Sequence, residues 1–188
     1  MSAVLAIVLA VWMVPATLAA VESAAPSLCH PGEEIAFSCS LGDSVVSLCT
    51  GAEAGVVQSL TYRSGVHGRV EQEFIASAQT GQRFHASVSP VSPRALVRQV
   101  WFEQNGRRYV LTECVGGDCP HNAGLGVFQD DQLLSGRYCL RTQDDKAWFS
   151  RALVEFGSEP ASSRSNTGLL LIDEAGNAVE ELYPPGRH

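Results

Sequence analysis

From Cys29 onward the chain alternates short apolar runs with clusters of turn residues, and the spacing is that of strands, with almost no helical period. Ile35, Phe37 and Cys39 alternate with small or polar residues, Leu41-Gly42-Asp43-Ser44 turns, and Val45 to Cys49 returns. Leu60 to Arg63 and Arg69 to Ile75 flank a Ser64–Gly68 loop and predict a second hairpin. The clearest is the third, where Asn105-Gly106 suits a two-residue type I′ turn because both central residues need positive φ. That register sets Phe102 opposite Tyr109 and Trp101 opposite Val110, aromatic and β-branched pairs worth about 0.2–1 kcal/mol each.

The same pattern continues toward the C-terminus. Leu125 to Gln129 and Gln132 to Leu134 turn at Asp130-Asp131, and Arg137 to Arg141 and Trp148 to Phe156 are further strand candidates. Consecutive hairpins must close or cover their edges, so the expected fold is all-β: one antiparallel domain over residues 29–157, either a barrel or a two-sheet sandwich. A Ser-rich linker follows over 158–168, then a C-terminal hairpin over 169–183 that must dock because a lone hairpin is unstable, and a tail over 184–188.

The residues before Cys29 read differently. Ala3 to Val14 is apolar without a charge, Pro15 breaks it, and Ala16 to Ala20 supplies small residues for a signal peptidase. The expectation is a signal peptide over 1–19, cut after Ala19, and a flexible lead-in over 20–28. No Lys or Arg precedes the apolar run, so an uncleaved anchor is the competing reading. The run falls short of the roughly 20 residues that span a bilayer, and no membrane span is expected once the leader is removed.

Export gives the six cysteines a meaning, because an even number in an oxidising compartment pairs as disulfides. Cys114 and Cys119 enclose a Val-Gly-Gly-Asp loop and form a natural local bridge. The other four, Cys29, Cys39, Cys49 and Cys139, have three possible connectivities. A two-residue turn at Gly42-Asp43 pairs Cys39 with Val46 and puts Cys39 and Cys49 on opposite faces, leaving Cys49 for Cys29 and Cys39 for Cys139. A turn one residue longer or shorter reverses that argument.

Composition narrows the function classes. The chain has 188 residues, 45% hydrophobic and 18% charged, with 17 Gly and 9 Pro, which suits one globular, turn-rich domain. Its formal net charge of -7 offers no excess of Lys or Arg to neutralise phosphates, which argues against a nucleic-acid partner. Acidic pairs such as Glu33-Glu34 and Asp130-Asp131 read as solvated turns.

Catalytic signatures are missing: there is no His-Glu-x-x-His, Gly-x-Ser-x-Gly, Walker loop or Cys-x-x-Cys. Cys114, Cys119 and His121 beside Asp118 approach a zinc set, but an oxidising compartment favours the disulfide, so neither metal nor cofactor is expected. Trp101 and Trp148, each followed by Phe, could line a sugar-binding face, though core packing is the simpler reading. In each adjacent pair the two rings point to opposite faces of a strand, so only one of them can lie in the core of a one-sided sheet. His121 and Tyr138 complete the candidate binding residues.

Two resemblances add to this reading. Cys29-His-Pro-Gly-Glu-Glu-Ile-Ala-Phe-Ser-Cys39, Val46-Ser-Leu-Cys49, Leu60-Thr-Tyr-Arg63 and Trp101-Phe-Glu-Gln-Asn-Gly-Arg-Arg-Tyr-Val-Leu-Thr-Glu-Cys114 resemble an uncharacterised family of exported Gram-negative bacterial proteins. That likeness spans most of Cys29 to Cys139 and implies export without implying an activity or a site. Ser135-Gly136-Arg137-Tyr138 resembles the Ser-Gly-x-Tyr loop with which periplasmic inhibitors of invertebrate-type lysozyme enter the enzyme's cleft. The functional expectation is therefore an exported, non-enzymatic module binding a protein or glycan partner. A lysozyme-inhibitor-like protein and an enzyme on cell-wall or glycan substrates are the alternatives.

Overall fold

The computed structural model describes residues 26–117, 119, 123–142 and 170–172. The leader, His121, Trp148, the 158–168 linker and most of the C-terminal hairpin therefore lie outside the described residues. Within them the chain is all strand and turn. A first run comprises β1 (Glu34–Ser40), β2 (Val45–Glu53), β3 (Val56–Val66) and β4 (Arg69–Ser77). A second comprises β5 (Phe84–Ser92), β6 (Ala95–Gln104), β7 (Arg107–Gly116), β8 (Ala123–Gln129) and β9 (Gln132–Tyr138), followed by the short β10 (Arg141–Thr142) and β11 (Leu170–Ile172).

These form two sheets, one ordered β10-β1-β2-β3-β4 and the other β11-β5-β6-β7-β8-β9. Each is built mainly as a meander of antiparallel hairpins, and among the described residues the one parallel pairing is β11 beside β5. Turn chemistry sets the registers. Asn105 and Gly106 both have positive φ, 54° and 71°, and the pairs Phe102↔Tyr109 and Trp101↔Val110 follow. Gly42 sits at φ 95°, which lets Leu41 and Ser44 close a two-residue turn and pairs Cys39 with Val46.

The sheets pack face to face, so the architecture is a sandwich. Tyr62 from β3 and Phe74 from β4 meet Phe84 and Phe102 of the other sheet, with ring centroids 4.2–5.4 Å apart for Tyr62–Phe102, Phe74–Phe84, Phe74–Phe102 and Phe84–Phe102. Leu48, Leu60, Val100, Leu111 and Leu125 fill the space around them. Alternation along each strand supplies one apolar inner face per sheet, and burying these faces against each other drives the association.

Three local readings change. Ile35 does not join Phe37 and Cys39 in the core, because a bulge between Ile35 and Phe37 shifts the phase and brings Ala36 inward instead. The strand expected over Arg137 to Arg141 is broken: β9 ends at Tyr138, and Cys139 and Leu140 carry the chain across to β10 beside β1. The disulfide from Cys39 to Cys139 sits at that crossing. Residues 84–100, unread as strands in the sequence, form β5 and much of β6, where Ser87 and Gln99 interrupt the apolar pattern.

Candidate functional site

Cys29 is bonded to Cys49, Cys39 to Cys139 and Cys114 to Cys119, so every cysteine is in a disulfide. Three such bonds belong to a non-reducing, extracellular-type environment. Cys114 and Cys119 are thereby removed as zinc ligands. Among the described residues no helix is long and apolar enough to cross a membrane.

The outer face of the first sheet carries Ser38, Ser47, Thr61 and Arg63, all buried despite their polarity, beside the buried Cys49. Residues 26–33 explain this, because they lie across that face and are fastened at several points. The Leu28 N–H donates to Ser47 Oγ at 3.0 Å, Ser38 Oγ donates to the Pro26 carbonyl at 2.7 Å, and the Cys29–Cys49 bond ties the same stretch to β2. The expected flexible lead-in is thus held in place from Pro26, and Leu28 is buried.

Glu33 completes the fastening. Both of its oxygens take hydrogen bonds from Arg63, at 2.5 and 3.0 Å, while the Arg63 Nε donates to Glu73 at 2.7 Å. Burial pushes the Glu33 carboxyl up, but the hydrogen bonds and charge of Arg63 and the His30 amide outweigh it and hold the carboxyl below its ordinary range. Burial likewise pulls the Arg63 guanidinium down, and Glu33 and Glu73 more than offset it. Glu33, read from the sequence as a solvated turn residue, is therefore half of a largely buried ion pair. A charged residue following Leu60-Thr61-Tyr62 in an apolar strand was the only signal for it.

Cys29, Glu33 and Cys49 offer three ligand-type atoms within 4.8 Å of one another. The two sulfurs are bonded together and the carboxylate is engaged by a cation, so the cluster works as a clasp.

The second sheet holds the sequence-derived binding residues that are described. Trp101 points to its outer face, stacked on His85 with centroids 5.5 Å apart, while Phe102 points into the core. Tyr138 packs against the same outer cluster as Trp101, together with Val97, Val110, Cys114 and Phe128. Trp101 is only 8% exposed and Tyr138 is half-buried, so neither offers a flat ring to solvent. Ser135, Gly136 and Arg137 are exposed. The structure thus joins Trp101 and Tyr138 on one face and leaves Ser135 on the β9 edge.

That edge differs from the other sheet edge at β4. On β4 the Glu73 carbonyl accepts from Gln104 Nε2 at 3.2 Å and the Ile75 carbonyl accepts from Thr80 Oγ1 at 2.9 Å, so side chains engage two of its carbonyls. The β1 and β5 edges are covered by β10 and β11. Among the described residues β9 pairs with β8 alone, and Leu133 and Leu134 are exposed along it. A bulge at Leu134 interrupts its pairing with β8, leaving Ser135 to Tyr138 as a regular stretch.

No family model, curated protein or solved structure matches this chain.

Proposed function

We propose that the chain is an exported, non-enzymatic interaction module of the bacterial periplasm that receives a protein partner along β9. The observation that carries this reading is the contrast between edges. An edge strand presents unpaired N–H and C=O groups, and a partner strand can satisfy them while adjacent side chains set specificity. Here Gln104 and Thr80 engage the Glu73 and Ile75 carbonyls of β4, whereas β9 exposes leucines and Ser135 to Arg137. The Leu134 bulge guards against indiscriminate pairing along the whole strand. Export rests on the apolar leader and agrees with the three disulfides.

A photo-crosslinking residue in place of Leu134, in cells exporting the protein, should give a defined protein adduct. The same residue in place of Val70 on the β4 edge should give none. Absence of an adduct at 134, or equal adducts at both positions, overturns the reading.

The exposed Ser135-Gly136-Arg137 favours one sharper version, a lysozyme-inhibitor-like protein. It differs from the loop it resembles in being strand. Purified protein should then block lysis by an invertebrate-type lysozyme, and Tyr138→Ala should relieve the block. Full inhibition by that variant removes Tyr138 from the argument. The enzyme reading draws less support, because Glu33 and Glu73 converge on the Arg63 guanidinium, and Glu33 is held ionised instead of poised as a general acid.

A further inference from the structure

The outer face of the second sheet is buried, yet no described element packs on it. Val97, Val110 and Thr112 are fully buried there, with Gln99, Phe128 and Trp101 nearly so. Two cross-strand rows define its relief. One runs Ser87, Gln99, Thr112, Gly124, Tyr138 and the other His85, Trp101, Val110, Gly126, Gly136. Gly124 and Gly126 on β8, both buried, therefore leave a lane of bare backbone beside Val110 and Thr112. Glycine inside a strand weakens it and often marks a place where another backbone comes close. At the head of the polar row Gln99 Oε1 and Ser87 Oγ are buried without a hydrogen-bond partner among the described residues. Such atoms are costly to bury unless something supplies the missing bond.

Topology narrows the occupant to one segment. Thr142 ends β10, on the side of the sandwich where β9 lies, and Leu170 opens β11 beyond β5, at the opposite edge. Residues 143–169 must connect these edges, a sheet width of about 24 Å at the usual strand spacing. Fully extended they could reach about 90 Å, so length does not limit the route. The parallel pairing of β11 with β5 itself demands a crossover connection. Residues 26–33 already occupy the outer face of the first sheet. The segment carries Trp148, Phe149, Leu153, Val154 and Phe156, apolar groups of the kind that the buried face around Trp101 would accept.

We infer that residues 143–169 dock on the outer face of the second sheet, over the Gly124–Gly126 lane, and cover Trp101. The Trp101 surface is then an intramolecular bed and is withdrawn from glycan binding.

The full chain tests this with Trp12→Phe and Trp148→Phe as background, which leaves Trp101 as the single indole. Its quenching by acrylamide should be at least fivefold weaker than that of free indole, and independent of protein concentration. Gly126→Lys fills the lane and should raise both the quenching and tryptic cleavage at Lys146 and Arg151, the cleavage by tenfold or more. Gly117→Lys, where a Cβ meets nothing within 4 Å, should change neither. A second variant, Phe149→Ser with Phe156→Ser, alters only the segment and should also raise Trp101 quenching. Free quenching in the background protein, protection that depends on concentration and so points to a second copy, or an unchanged signal in the Phe149/Phe156 variant each overturns the inference.

Discussion

Arg63 and Glu33 meet through two hydrogen bonds across the outer face of the first sheet, although thirty residues separate them in the chain. The pair fastens the N-terminal stretch at one end while Cys29–Cys49 fastens it near the other. Arg63 is almost wholly buried, so losing its bidentate partner leaves a charge that only Glu73 can answer. Glu33→Gln should lower the unfolding free energy by about 1–3 kcal/mol. Urea denaturation followed by intrinsic fluorescence measures it, and an unchanged midpoint would show the pair to be energetically idle.

The same pair makes stability depend on acid. The Glu33 carboxyl is lowered in the folded state, so its contribution is complete above the unfolded carboxyl value and is lost as pH falls through the lower folded one. Tm should therefore begin to drop as pH falls through the ordinary carboxylate value and go on dropping below it. Thermal melts of the native protein and Glu33→Gln across that window should converge as the pH falls. Parallel curves would remove Glu33 from the acid response.

Tyr62 predicts the opposite limb. Its ring lies between the sheets against Phe102, and burial pushes its phenol up to about 12. The hydroxyl itself has no hydrogen-bond partner among the described residues. The unfolded phenol ionises first, so stability should fall as pH rises from about 10 toward 12. Tyr62→Phe should flatten this limb and, at neutral pH, leave stability equal or higher by about 1 kcal/mol. A loss of several kcal/mol in the Phe variant would show that the hydroxyl is bonded after all.

The disulfides should rank by the loop each closes. Cys39–Cys139 spans 100 residues, Cys29–Cys49 spans 20 and Cys114–Cys119 spans 5. Chain entropy then assigns about 4.7, 3.3 and 2 kcal/mol respectively. Paired Cys→Ala variants compared in guanidinium should lose stability in that order, and a reversed order would show that native packing, not loop closure, sets the cost.

The proposed export makes a covalent prediction. Mass spectrometry of the protein recovered from periplasm should find Ala20 as the first residue, matching cleavage after Ala19. An intact leader would support the anchored reading.

Strand period, the Asn105-Gly106 turn and the cysteine count were legible because each depends on neighbours in the chain. Alternation places side chains on faces, and positive φ selects Asn and Gly. The Gly42-Asp43 turn carried the sense of Cys39 and Cys49 in the same local way. What remained hidden was long-range. Arg63 and Glu33 meet only because residues 26–33 fold back over β2 toward β3, and the bulge at Ala36 shifts a phase that composition does not betray. Trp101 and Phe102 were known to face apart, but only the packing of the two sheets decided that Phe102 is the core residue. Whether β9 is an open edge likewise depends on which strand lies beside it, since backbone hydrogen bonds between strands are the same for any sequence and tertiary pairing alone spends or spares them.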